Sequence, residues 1–378
     1  MAGRRLLFVV NDTAFFASHR LPVALAAREA GFDLHLAALD TGRLDDIGAQ
    51  GIAYHPLAID RTGINPLPDF RLLYQLIRLI RAVRPTIMHT VTIKPVLYGG
   101  IAARLLKVPS LVSAVSGLGF VFINDDPKIS LVRSGVGGLY RLALGHRNSC
   151  AIFQNPDDLR HMLDAGLTSS ERTVLIRGSG VDMSSFAPSL PPPGPPVVVM
   201  PARLVWDKGV GEFVEAARLL RGDGVAIRMA LVGELPVHNR SVPRHRIEAW
   251  VEEGVIEWWG YRSDMPEVYA LSHIVCLPSY REGLPRALIE AAACGRPIVT
   301  TDVPGCREVV EHGANGFLVP PRAPSPLAAA LRTLASDPGL RIEMGRRGRE
   351  RAVAEFALDR VVAATLAIYE RLSATAKG

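Results

Sequence analysis

The stretch Ser279–Thr301, "SYREGLPRALIEAAACGRPIVTT", decides the fold. Pro285 suits the first position of a helix, where a preset φ helps and the missing N–H costs nothing, and Gly295 suits the position just past the end. A helix over Pro285–Cys294 is therefore expected. Short apolar runs flank it, Ile274–Leu277 before and Pro297–Thr300 after, so the stretch reads as strand, helix, strand in a parallel sheet.

The same alternation extends outward in both directions. Upstream lie strand Val197–Met200, helix Val210–Leu220, strand Ala226–Val232 and strand Val255–Trp258. Nearer the start come strand Leu6–Val10, helix Ala17–Ala30 closed by Gly31, strand Asp33–Ala38, helix Phe70–Val83 and strand Thr86–Thr90. Between the two series, "SLPPPGPPVVVM" from Ser189 sustains neither a helix nor a central strand. The expected organisation is an N-terminal domain 1–187, a Pro-rich linker 188–196, a C-terminal domain 197–360, and a last helix 361–378 that crosses back onto the first domain. At 378 residues the chain has room for two such α/β domains, each with its own core.

Composition narrows the function. No apolar run approaches the roughly 18–20 residues of a membrane span, and Leu6–Val10 is too short for a signal peptide, so a cytoplasmic chain is expected. Cys150, Cys276, Cys294 and Cys306 form no C-x-x-C pair, and reduced structural thiols follow. The net charge of +6 is uneven: residues 70–147 hold eleven Lys or Arg against only Asp125 and Asp126. That segment is expected to face something anionic. The basic stretches lack interleaved aromatics or a nucleic-acid motif, which argues against nucleic acid as the partner.

Glu282 falls in the loop at the mouth of the expected helix and Glu290 inside it. Eight residues at about 1.5 Å each put the carboxylates up to about 12 Å apart along the axis, turned by about 80°. A pair working on one bond is usually about 5–10 Å apart. The wider spacing suits two contacts on one elongated ligand, with the N–H groups of Gly283 and Leu284 directed at an anion between them. A nucleotide sugar, with hydroxyls at both ends and a diphosphate between, has that form. The plain alternative is a capping acid and a solvated Glu. "MPARLVWDKG", Met200–Gly209, follows the first strand of the second domain, where doubly wound sheets bind phosphate. Its Arg203 offers a bidentate clamp and Lys208 a point charge. On their own these two are also readable as ordinary exposed cations.

The run Trp259–Pro321, with the loop "ARLVWDKG", the E-x7-E spacing of Glu282 and Glu290 and "IRGSGVDMSSF" at Ile176–Phe186, resembles the retaining GT-B glycosyltransferases of family 4. The resemblance implies two Rossmann-like domains facing across a cleft, and a nucleotide-diphosphate sugar, a UDP-N-acetylhexosamine, as donor. In that reading Arg203 and Lys208 hold the diphosphate, Glu282 the hexose hydroxyls, Glu290 the ribose, and the backbone around Tyr261 and Arg262 the base. The chain contains no D-x-D sequence, in keeping with a metal-independent enzyme without a cofactor.

"FFASHRLP", "HTVTIKPVLYGG", "SAVSGLGFVFI" and "IFQNPDD" resemble the N-acetylhexosaminyltransferase branch that extends undecaprenyl-diphosphate-linked sugars in bacterial glycan assembly, including the N-acetylgalactosaminyltransferases acting on a lipid-linked diacetylbacillosamine. The resemblance implies a polyprenyl-diphosphate sugar as acceptor and His89 near the sugar, with Lys94 and Ser116 on neighbouring loops. The family's Gly-Gly turn after the first strand is missing from "NDTAFFASHRLPVALAA", so Asn11, Ser18, His19 or Arg20 is expected in its place. Arg78 and Arg81, on a helix face with Arg71 and Gln75, and Arg133 and Arg141 further on are expected to rest on anionic lipid at the inner face of the cell membrane. The rival readings are a transferase with a soluble acceptor, a sugar-nucleotide epimerase and a non-catalytic nucleotide-sugar-binding protein.

Overall fold

The computed structural model describes residues 3–60, 66–117, 127–236 and 240–376, and of residues 66 and 127–134 only the backbone. The chain divides into two units, Met1–Ser179 with Asp359–Gly378, and Gly180–Leu358.

Among the described residues the first unit holds seven strands: β1 (Arg4–Asp12), β2 (Phe32–Leu39), β3 (Ala53–Pro56), β4 (Ile87–Val91), β5 (Ser110–Val115), β6 (Ser149–Phe153) and β7 (Thr173–Leu175). They pair in the order β3-β2-β1-β4-β5-β6-β7, all parallel. Central strands such as β4 and β5 are buried at every residue, as sheets covered on both faces require. The second unit holds β8 (Val197–Pro201), β9 (Arg228–Val232), β10 (Glu257–Trp258), β11 (Ile274–Leu277), β12 (Ile298–Thr301) and β13 (Gly316–Val319), ordered β10-β9-β8-β11-β12-β13 and again parallel. In each sheet the order reverses beside the first strand, between β1 and β4 and between β8 and β11. Open α/β sheets take their ligands outside the carboxyl ends of such strands.

Several expected boundaries shift for identifiable reasons. The helix expected over Ala17–Ala30 is two, Thr13–His19 and Leu21–Glu29. Pro22 cannot continue a hydrogen-bonded helix and opens a new one instead, leaving Arg20 at the break with φ −129°. The helix expected from Phe70 begins at Pro66, because Pro66 and Pro68 are tolerated in a first turn. The boundary between units falls at Ser179/Gly180 rather than in the Pro-rich stretch. Val181 exchanges backbone hydrogen bonds with Phe356 and Leu358, and Arg349 binds the carbonyls of Met183 and Phe186, so residues 180–187 are fastened to the second unit. The last helix, Leu358–Thr375, buries Val361, Ile368, Tyr369 and Leu372 in the core of the first unit. All four cysteines are free and buried. Among the described residues no helix is long and apolar enough to cross a membrane.

Candidate functional site

In the second unit the loops after β8 and β11 meet at the reversal of strand order. Gly209 ends the β8 loop with φ +80°, and a Cβ there would lie 2.1 Å from the Pro278 carbonyl oxygen. Only glycine permits that approach. Gly305, after β12, closes the other side: with φ +83°, a Cβ on it would stand 2.5 Å from the Gly283 carbonyl. The loops are also stitched directly, the Tyr280 N–H donating to the Asp207 carbonyl at 2.9 Å.

This packing brings Lys208 and Glu282 together. The Lys208 ammonium bonds Glu282 Oε1, which also accepts from Ser279 Oγ at 2.7 Å. Among the described residues no donor reaches the second oxygen, Oε2. Arg203 is exposed, and its guanidinium has no partner among the described residues. Glu282 thus sits at the mouth of the helix Arg286–Ala293 with a cation on one side, and the half-buried Gly283 and Leu284 follow it.

Glu290 lies inside that helix and is only 8% exposed, which removes the reading of a solvated Glu. Its Oε1 accepts from Arg286 Nε at 2.8 Å and its Oε2 from the Tyr269 hydroxyl at 3.1 Å. Burial raises its carboxyl pKa, against the opposing pull of Arg286. Two oxygens with one bond each keep two acceptor directions open. Tyr261 is 70% exposed beside Gly260, whose carbonyl accepts from the Gly233 N–H, and Arg262 is paired with Asp264 at 2.7 Å. Ser279 and Tyr280, which orient Glu282 and the β8 loop, were not singled out in the sequence. The Ser-x-x-Glu spacing was the available signal.

The first unit assigns its expected residues differently. His89 is the central residue of β4 rather than a strand-end group, and it is fully buried. Its Nδ1 pairs with the Tyr369 hydroxyl of the last helix and its ring lies 5.2 Å from Phe8. Burial, with Arg20 nearby, drives its pKa well below the ordinary histidine value, so it is neutral. This corrects the expectation of His89 beside a sugar: the alternation of side chains along β4 turns it into the core. Arg20 is buried too, its pKa lowered to about 10 by desolvation, and its Nε has no hydrogen-bond partner. Asn11 Oδ1 is likewise buried and unmatched. Ser18 is exposed, bonding the Ala14 carbonyl and His19 Nδ1, and His19 stacks on Phe15 at 4.2 Å.

Lys94 is not free for a ligand in this structure. It is 2.8 Å from Asp69, whose other oxygen accepts from Tyr98 at 2.8 Å. Ser116 follows β5, half-buried at the carboxyl end of the sheet. Arg78 and Arg81 are exposed. Arg141 is exposed as well, but its guanidinium caps the carbonyls of Ala165 and Gly166, a local structural task. The Arg133 side chain lies outside the described residues. Thr92, which the sequence did not single out, directly follows β4 with φ +74°, an unusual conformation for a β-branched residue. It sits where the order of the sheet reverses and leads into a π-helical turn, Pro95–Gly99, a form frequent at functional sites.

Residues 5–155 match the family described as Glycosyl transferase 4-like, and residues 195–337 the family described as Glycosyl transferases group 1. Together with two doubly wound parallel sheets, these matches define a glycosyltransferase of GT-B fold. Along 97% of its length, and 99% of the other protein's, the chain is 26% identical to the N,N'-diacetylbacillosaminyl-diphospho-undecaprenol alpha-1,3-N-acetylgalactosaminyltransferase of Campylobacter jejuni. It is 23% identical to the capsular polysaccharide biosynthesis glycosyltransferase CapM of Staphylococcus aureus, over 87% of each chain. Among solved structures, sucrose-phosphate synthase from Thermosynechococcus elongatus superposes with a TM-score of 0.80 over 98% of this chain and all of that one, at 20% identity. The HepE protein of Anabaena in complex with UDP-glucose superposes with a TM-score of 0.75 over 98% and 99%, also at 20% identity.

Proposed function

We propose that the chain transfers an N-acetylhexosamine from its UDP-sugar to a polyprenyl-diphosphate-linked sugar in bacterial glycan assembly, with retention at the anomeric carbon. The observation that carries the reading is the Lys208–Glu282 pair at the mouth of the helix Arg286–Ala293, with the exposed Arg203 on the same β8 loop as Lys208. A diphosphate there meets a bidentate clamp in Arg203, a point charge in Lys208 that Glu282 already holds in place, and a helix N-terminus. As the diphosphate takes Lys208, Glu282 turns to the hexose hydroxyls through its open Oε2. Glu290, oriented by Arg286 and Tyr269, accepts from the ribose, and the backbone at Tyr261 and Arg262 meets the base.

Retention follows a same-face route. The bond from the anomeric carbon to the diphosphate oxygen breaks, the acceptor oxygen forms its bond on the face just vacated, and the acceptor's proton passes to the departing diphosphate. The protein's task is positioning and charge stabilisation, so no protein nucleophile is required. The likeness to the Campylobacter jejuni enzyme over nearly the whole chain supports a lipid-linked acceptor held by the first unit, near Asn11, Ser18, His19 and Ser116 at an anionic membrane surface. The HepE complex supports a UDP-sugar donor.

The test is mass spectrometry and anomeric NMR of products from a panel of UDP-sugars with polyprenyl-diphosphate amino sugars. A UDP-hexosamine should give an α-linked product. A β-linked product would overturn retention, turnover only with soluble acceptors would overturn the lipid reading, and an epimerised UDP-sugar formed without acceptor would overturn transfer itself.

A further inference from the structure

The helix Pro66–Val83 buries Leu72, Leu76, Ile80 and Val83 in the first unit, yet it also holds large apolar groups in water. Leu67 is 78% exposed, Phe70 69% and Tyr74 60%. At 3.6 residues per turn these three share an arc of about 60°, and exposed Arg71, Arg78 and Arg81 widen it only to about 100°. The face is graded along its length: its three large apolar groups lie in the first half, with Arg71 among them, and the second half is basic, with Arg78 lying 5.9 Å from the Tyr74 ring. Beside the apolar half is a cavity of about 480 Å³ lined by Leu39, Ala58, Ile59, Leu67 and Pro68, with Arg71 and Asp60 as its charged members.

The acid of this first turn, Asp69, does not offset the surface charge. It is buried and held by Lys94 and Tyr98, from the segment just after Thr92. The exposed turn is thereby fixed to the loop at the reversal of strand order in the first unit.

Resting on the reading of a lipid-linked acceptor, we propose that this face docks on an anionic bilayer: Leu67, Phe70 and Tyr74 enter the interfacial layer, Arg71, Arg78 and Arg81 take lipid phosphates, and the adjoining cavity receives a lipid chain. The chemistry is that of an interfacial amphipathic helix, with apolar groups at the depth of the acyl boundary and arginines at the headgroups. A second copy of the same face is a poorer occupant, because a two-fold contact would bury the arginines of each copy against apolar groups or other arginines, and the only acid of the helix, Asp69, is buried and so not there to pair them. Docking here would deliver the acceptor's diphosphate beside the sheet edge to which Asp69 and Lys94 tie the helix.

The experiment is flotation of the full chain with phosphatidylcholine vesicles with and without phosphatidylglycerol, while UDP binding is measured separately by calorimetry. The wild type should float with the anionic vesicles. Replacing Leu67, Phe70 and Tyr74 with Ser should reduce partitioning about 100-fold, and Arg78→Glu with Arg81→Glu at least roughly 30-fold at low salt. Both variants should keep the wild-type far-UV spectrum and UDP affinity. Emission from a Phe70→Trp variant should shift to the blue with vesicles and be quenched by brominated lipid. Failure of the wild type to float, a triple Ser variant that floats equally well, or a self-association in sedimentation that the Ser changes abolish would overturn the proposal. Intact UDP binding in those cases would leave the donor reading standing, whereas normal flotation without UDP binding would remove that reading alone.

Discussion

Gly209→Ala tests the donor site through geometry rather than by deleting a reacting group. The new Cβ would stand 2.1 Å from the Pro278 carbonyl oxygen, where ordinary contact begins at 3.4 Å, so the β8 and β11 loops must separate by about 1 Å. An alanine at φ +80° adds about 1–2 kcal/mol of backbone cost. For a unit of this size that corresponds to a melting temperature lower by about 2–8 °C. The separation acts directly on Lys208 and Glu282, one on each loop, and misplacement by about 1 Å can cost about 100-fold in rate. We therefore expect kcat/KM with a UDP-sugar to fall about 100-fold. Gly211→Ala is the control: it lies two residues on, inside a helix, and its Cβ would meet only the Trp206 ring, at 3.6 Å. It should leave turnover unchanged and gain about 0.5–1 kcal/mol of stability. Calorimetry, steady-state kinetics and thermal unfolding of the two variants settle the matter. A Gly209→Ala enzyme with wild-type turnover refutes the argument.

Arg203→Ala should lower transfer by about 100- to 1,000-fold with an unchanged melting temperature, because the exposed guanidinium has no partner among the described residues; unaltered kinetics would remove Arg203 from the site. Tyr369→Phe should cost the first unit about 1–3 kcal/mol, read by calorimetric unfolding, since it leaves His89 Nδ1 buried without its partner. His89 has a folded pKa well below its unfolded value of 6.5, so its contribution is present above pH 6.5 and is lost as pH falls through and below it. His89→Gln should accordingly flatten the acid limb of the first unit's stability curve, and an unchanged limb would contradict a neutral buried His89. Glu290 has the opposite sign: its pKa is raised above 4.5, so the wild type should lose stability relative to Glu290→Gln as pH rises through that raised value. Paired melting curves from acid to neutral pH would show the gap opening, and a constant gap would count against the burial argument.

The strand-helix-strand reading of Ile274–Thr301 was legible because its signals are local: a proline and a glycine at the helix ends, and apolar runs of strand length. Glu282 and Glu290 were placed correctly along the chain for the same reason. The direct meeting of Lys208 with Glu282 was not legible, since it depends on Gly209 lying under the Pro278 carbonyl across two strands. His89 shows the converse failure. A histidine in an apolar strand looks chemical in sequence, but which way it faces is set by the pairing of Phe8 with His89 and by a tyrosine 280 residues away. Lys94 likewise reads as a free cation until Asp69 arrives from another helix. Thr92 left no trace in the sequence, because a β-branched residue is not one that signals a positive φ.

The return of Asp359–Gly378 to the first unit has a consequence for how the protein is made. The amino-terminal half cannot complete its core when its own residues leave the ribosome, because the surface that Ile368, Tyr369 and Leu372 cover stays bare until Asp359–Gly378 is made. At about 5–20 residues per second, the intervening Gly180–Leu358 imposes a wait of roughly 10–40 s. During that interval the second unit, contiguous in sequence, is free to finish first. Truncation by twenty residues at the far end would therefore damage the beginning of the chain, and a separately expressed amino-terminal half would need Asp359–Gly378 grafted onto it to fold.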